Sequence, residues 1–189
     1  RSGAHEQAEH KRYCDGHLDK IDRIGERYKI GEYDIFHKLT VNRIRGMFDQ
    51  YVEYLDKMNI QCVEVSDGTM EMDHDDKLRY IEKLAKRFTV LSEVGSKLAG
   101  RVITNDEWIM MMKTELEAGA WKVIAEARES GNIGIYNKDG SANTKLIDDI
   151  EQHIDQDSII WEAPIKNQQV WFVQHIGHNV NLGNIAPYE

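Results

Sequence analysis

The chain reads as an α/β protein built on a parallel sheet, and three observations point there. Short apolar runs recur at Ile60–Val65, Phe88–Leu91, Trp121–Ala125, Ile159–Trp161 and Val180–Ile185. The first four are each followed by a stretch with helical patterning. Those four also end in acidic or turn-forming residues: SDGT, SEVGSK, EARESG and EAP. A strand ending in charge, then a loop, then a helix is the repeating unit of such a sheet. Strand starts recur about every 20–40 residues, the length of a βα unit. Ligands of these folds gather at the carboxyl ends of the strands, so chemistry is expected there.

Residues 1–16 are polar and without periodicity, and read as an arm with the composition of a disordered segment. Residues 17–189 read as a single domain. A weak helical pattern runs from Leu18 to Ile30, and Tyr33–Phe36 has the makings of a short strand. From Val41 to Met58 the pattern is firm, with Ile44, Met47, Tyr51, Leu55 and Met58 on one helical stripe. After the Ile60 run, Asp73 or Asp75 can cap a helix carrying Leu78, Ile81, Leu84 and Ala85. After the Phe88 run, Asn105 can cap a helix carrying Trp108, Ile109, Met112 and Leu116, and Gly119 sits where it should stop. The Trp121 run leads into a glycine-containing loop to Gly140, then a helix with Leu146, Ile147, Ile150 and Ile154. After the Ile159 run, Asn167 can cap a helix carrying Val170, Val173 and Ile176. Pro164 and Pro187, the only two prolines, fall in loops.

Composition narrows the function class. At 189 residues the chain can bury one sizeable core. A formal net charge of −9 is a poor footprint for nucleic acid or an anionic membrane surface. Two cysteines, Cys14 and Cys62, make no disulfide framework, and a cytoplasmic protein is the expectation. No Walker motif, dinucleotide fingerprint or nucleophile elbow is present. The histidines, His175 among them, show no metal-ligand spacing, and Met110–Met112 read as core filler.

The acidic strand ends carry the chemical expectation. In WKVIAEAR, alternation puts Lys122, Ile124, Glu126 and Arg128 on one face, and Val123, Ala125 and Ala127 on the other. Such a charged face needs partners or water, which a barrel interior or cleft supplies. Glu64, Glu93 and Glu162 stand at the same place in their own runs. Carboxylates converging on one mouth repel unless cations offset them. Lys97, Lys122 and Arg128 can do part of this, and an oxygen-seeking Mg²⁺ the rest. The turns at Gly68, Gly95 and Gly131 could offer backbone N–H groups to a phosphate.

The segments VEVSDGT (63–69), VLSEVGSK (90–97), AGAWKVIAEARESG (118–131), WEAPIK (161–166) and NVNLGNI (179–185) resemble the phosphosulfolactate synthase family, over about residues 47–185. The resemblance implies a (β/α)8 TIM barrel in which the five runs are the fourth to eighth strands. It implies a Mg²⁺-dependent lyase without organic cofactor, joining sulfite to phosphoenolpyruvate. Family positions fall on Glu64, Asp67, Glu93, Lys97, Glu126, Arg128, Glu129, Glu162 and Asn184. On that footing Glu93, Glu126 and Glu162 are the expected metal ligands, and Lys97, Glu126 and Arg128 the catalytic groups. Arg128, Ser130, Gly131 and Asn184 are the expected substrate contacts. The lysine and glycine-rich turn of the family's second strand are not found, nor is its closing helix. The expectation is therefore a barrel with about five to six βα units visible; either a partner chain covers its open edge, as in a homo-oligomer, or the opening segment is rearranged, or the chain is incomplete. Two other readings share the resemblance. One is a non-catalytic stress-related or assembly protein; the other is a lyase acting on another enolpyruvate-like anion.

Overall fold

The computed structural model describes residues 41–66, 72–95, 103–128 and 130–185. The arm at 1–16, the patterns at 18–36, and Asp67, Lys97 and Glu129 lie outside the described residues. In chain order the elements are α1 (Val41–Lys57), β1 (Cys62–Val65), α2 (His74–Leu84), β2 (Thr89–Val94) and α3 (Asn105–Glu117). There follow β3 (Lys122–Ala125), α4 (Thr144–Glu151), a 3₁₀ turn (Gln156–Ser158), β4 (Ile159–Glu162), α5 (Lys166–His175) and β5 (Leu182–Gly183). No helix among the described residues is long and apolar enough to cross a membrane.

The strands form one sheet in the order β1-β2-β3-β4-β5, and every neighbouring pair is parallel. Spatial order therefore follows chain order. Crossovers of one hand then stack the helices side by side on one face, and α2 packs against α3 and α3 against α4. This is the singly wound wall of a (β/α)8-type barrel; a doubly wound sheet would reverse direction at a switch point.

The two faces differ sharply. Val63, Val65, Val90, Val94, Val123 and Trp161 are buried under the helices. The side chains between them are polar or mixed: Glu64, Leu91, Glu93, Lys122, Ile124, Glu126, Ile160 and Glu162. This alternation is what a wall with helices outside and a site inside requires.

Local chemistry fixes the helix ends, with two corrections to the expected caps. Asp73 does cap α2, accepting from the Asp75 N–H. Thr104, not Asn105, caps α3, with Glu107 completing a reciprocal capping box; the Asn105 amide instead donates to Asp149 at 2.6 Å. Nor does Asn167 cap α5: that helix starts at Lys166, and Gln168 reaches back to accept from the Ile165 N–H at 3.3 Å. Gly119 does follow the end of α3, at φ 110°.

Two helical stripes are rotated from expectation. In α1 the buried residues are Phe48, Val52 and Leu55, with Tyr51 half-buried against them; Ile44 and Met47 lie outside the described side chains. In α5 the buried face is Gln168 and Phe172, whereas Val170 and Val173 are 47% and 45% exposed. Phe172 stacks on Trp161 at 5.2 Å and meets Trp171 edge-on at 5.1 Å, and those aromatic contacts turn the helix.

Candidate active site

Strand register sets the height of each side chain on the inner face. Glu64 is level with Leu91, and Leu91 with Lys122. Glu93 is level with Ile124, and Ile124 with Ile160, one layer higher. Glu126 and Glu162 each lie one residue past the Ala125–Trp161 pair, so they share the next layer. The expectation that these glutamates occupy equivalent positions is thereby corrected. They are staggered over three layers, roughly 6–7 Å apart along the strands, which eases their repulsion.

Among the described residues, Glu93 and Glu126 are the two buried acids of this face, 3% and 1% exposed. The Ser66 hydroxyl at the end of β1 donates to Glu93 Oε1 at 2.6 Å. Glu126 fills the space beside Gly95: a Cβ there would lie 2.7 Å from Glu126 Cβ and 3.0 Å from its Oε2. Gly134 admits the Glu126 backbone in the same way, because a Cβ would fall 1.9 Å from the Glu126 carbonyl oxygen.

Beyond Ala125 the chain is held by backbone bonds at Glu126, to Val94 and Ile135, and by side chains at Ala127. Glu162 Oε2 accepts from the Ala127 N–H at 2.6 Å, and Asn184 Nδ2 donates to the Ala127 carbonyl at 3.2 Å. Glu162 and Asn184 thus clamp the residue that joins Glu126 to Arg128. The Tyr136 hydroxyl donates to the Glu162 carbonyl at 2.7 Å; burial, then the nearby Glu162 charge, pushes its pKa well above the usual range. Ala127 joins the core under the helices, so continued alternation places the half-buried Arg128 on the side of Glu126.

The remaining expected residues divide. Ser130 is exposed and donates to Asn132 Oδ1 at 2.7 Å. Gly131, at φ 62°, spends its N–H on the Arg128 carbonyl at 2.7 Å, and its own carbonyl accepts from Gln168 at 2.8 Å. It shapes the loop that presents Arg128, and its amide is not turned to a ligand. Lys122 does not offset the acids at the mouth. It lies four residues before Glu126, about 13 Å along a strand, with its ammonium bonded to the Asp157 carbonyl and 4.8 Å from the Trp121 ring centre.

Some contributors were foreseen in another role and others not at all. Gly95 belongs to one of the turns expected to offer backbone N–H groups to a phosphate, and Ser66 and Gly134 stand in the other two; in the structure Ser66 bonds Glu93, while Gly95 and Gly134 make room for Glu126. Tyr136 and Gln168 had no local signal, since both act across long sequence separations. Elsewhere, on the helix surface, His175 Nε2 meets Asp148 at 2.8 Å and Glu151 at 3.4 Å, a polar cluster invisible to sequence spacing. An open groove lined by Asp56, Gln61 and Arg87 lies by the amino ends of β1 and β2, away from the acidic face.

The donor set suits a hard divalent cation. Buried, oxygen-only carboxylates on adjacent strands are the ligands Mg²⁺ takes, and they need a positive charge to be tolerated together. Glu93 and Glu126 meet that description. Glu162 has one oxygen already engaged with Ala127.

Comparison with known proteins decides the family. The profile described as (2R)-phospho-3-sulfolactate synthase (ComA) matches residues 34–189. The chain belongs to the phosphosulfolactate synthase family. It is 37% identical over 182 residues to the phosphosulfolactate synthase of Methanothermobacter thermautotrophicus, covering 91% of this chain and 70% of that protein. It is 41% identical over 159 residues to the Bacillus subtilis phosphosulfolactate synthase, covering 82% and 62%. To that of Methanocaldococcus jannaschii it is 36% identical over 146 residues, covering 75% and 58%. The chain thus spans between 58% and 70% of the length of these phosphosulfolactate synthases.

Proposed function

We propose that the chain catalyses a phosphosulfolactate synthase reaction, a lyase-type carbon–sulfur bond formation between sulfite and phosphoenolpyruvate. The observation that carries this reading is the pair of buried carboxylates, Glu93 and Glu126, at the carboxyl ends of adjacent strands in a chain of this family.

The sulfur lone pair of sulfite attacks the methylene carbon of phosphoenolpyruvate. The displaced π electrons move into the carboxylate, and a proton then adds to the carbon bearing the phosphate. Atoms balance as phosphoenolpyruvate, sulfite and one proton giving phosphosulfolactate. Arg128 holds an anionic oxygen pair of phosphate or sulfite with its planar fork. Lys97, four residues after Glu93 in the chain, is assigned as the acid that delivers the proton. Asn184 and Glu162 keep the Ala127 peptide, and hence Arg128, in place. Mg²⁺, held by Glu93 and Glu126 with Glu162 beside them, would supply Lewis-acid stabilisation of the charge developing on the substrate carboxylate. Ser130 at the rim is assigned to an anionic oxygen of the substrate, and no organic cofactor is needed.

The test is loss of the enol absorbance of phosphoenolpyruvate. The reading expects consumption only when both sulfite and Mg²⁺ are present. Consumption without sulfite would reassign the site to another reaction on the same anion, and none under any condition would remove the assignment.

A further inference from the structure

Behind Glu93, on the helix side of the sheet, lies a buried polar group. Lys77 on α2, Ser92 on β2 and Glu115 on α3 are 3%, 0% and 0% exposed. Lys77 Nζ stands 2.9 Å from Glu115 Oε1 and donates to the backbone carbonyl of Glu93 at 2.5 Å. The Ser92 hydroxyl donates to Glu115 Oε2 at 2.5 Å. His74 flanks the group, with Nδ1 3.8 Å from Glu115 Oε1 and Nε2 2.8 Å from the Thr114 hydroxyl. Burial raises the Glu115 pKa, while Lys77 and Ser92 pull it back.

A buried ion pair is a poor way to stabilise a fold, because well-packed apolar residues of similar volume do as well or better. What this pair does touch is the backbone of the site strand. The last rung between β1 and β2 is Val65–Ser92. Beyond it, the Val94 carbonyl accepts from the Glu126 N–H at 3.0 Å. The Glu93 carbonyl faces the other way, past the end of that ladder, and Lys77 takes it. Glu93 is therefore held at both ends, its peptide by Lys77 and its carboxylate by Ser66 at 2.6 Å.

We propose that Lys77 and Glu115 form a positioning pair that sets the Glu93 carboxylate from behind the sheet. This rests on the reading of Glu93 as a site carboxylate that faces a divalent cation. The pair touches neither substrate nor metal; it acts through the backbone of β2.

The experiment uses the full chain with Mn²⁺ as probe, followed by electron paramagnetic resonance, alongside thermal unfolding and turnover. Lys77→Met/Glu115→Leu replaces the pair by apolar side chains but strips the Glu93 carbonyl and the Ser92 hydroxyl of these partners, and should fold with a melting temperature a few degrees below the parent's. It should still bind Mn²⁺ roughly 10–100-fold more weakly and lose kcat, as when supporting groups behind a metal ligand are removed. Parent-like Mn²⁺ affinity and kcat in this variant would overturn the proposal, since a merely structural pair is replaced by packing. If the double variant does not fold, Glu115→Gln keeps the volume and should shift Mn²⁺ affinity in the same direction; an unchanged affinity overturns the proposal. Glu93→Gln separates the two layers of the argument. Parent-like Mn²⁺ binding by Glu93→Gln would sink the reading of Glu93 itself, and with it the need for positioning. Impaired binding there with a normal double variant would sink the positioning alone.

Discussion

Gly95 shows how tightly the site is fitted at the level of single atoms. Its φ of 145° and the 2.7 Å approach to Glu126 Cβ leave no room for a side chain. Gly95→Ala should therefore lose more than about 1 kcal/mol of stability and most turnover, as read by denaturant unfolding and phosphoenolpyruvate consumption. A stable, active Gly95→Ala would mean that Glu126 is not packed there. Arg128→Lys separates charge from geometry. Lysine keeps the cation and loses the fork, so KM for phosphoenolpyruvate should rise about tenfold, the equivalent of ~1.4 kcal/mol, with little change in melting temperature. An unchanged KM would move anion binding to other groups.

At the scale of elements, the strand series was legible and the facing of side chains only partly so. All five apolar runs contain strands, because a run bounded by turn chemistry has few other uses in an α/β chain. The Phe88 run extends to Val94, beyond its expected end at Leu91, because pairing with β3 carries Ser92–Val94 along. The heights of Glu64, Glu93, Glu126 and Glu162 were illegible because register is a property of pairs of strands. Lys77 and Glu115 carried no local signal, since their partners are distant in sequence. In α5 the sequence KNQQVWFVQH is apolar on two sides, so periodicity alone could not choose between Val170/Val173 and Phe172. The structure chooses, and mutation can check it. Phe172→Ala should cost ~3–5 kcal/mol, whereas Val173→Lys should stay within about 0.5 kcal/mol, both by chemical denaturation. Comparable losses would mean that the exposed face of α5 is covered.

At the scale of the whole molecule, β1 and β5 are the edges of the sheet among the described residues. Open parallel edges are a liability that proteins cover. Unless residues 1–46 themselves close the sheet, we expect self-association, and light scattering should then give more than one protomer per particle; a monomer at every accessible concentration would contradict it. The proposed reaction joins sulfite to phosphoenolpyruvate on the inner face of this wall, through its buried carboxylates. Its most direct test is carbon NMR of ¹³C-labelled phosphoenolpyruvate mixed with sulfite, Mg²⁺ and the protein, beside the same mixture with Glu126→Gln. The account predicts a new sulfur-bearing methylene signal with the native chain, and a rate lower by on the order of 10²–10³-fold with Glu126→Gln at nearly unchanged melting temperature. No such signal with the folded native chain, or equal rates for the two proteins, would contradict it.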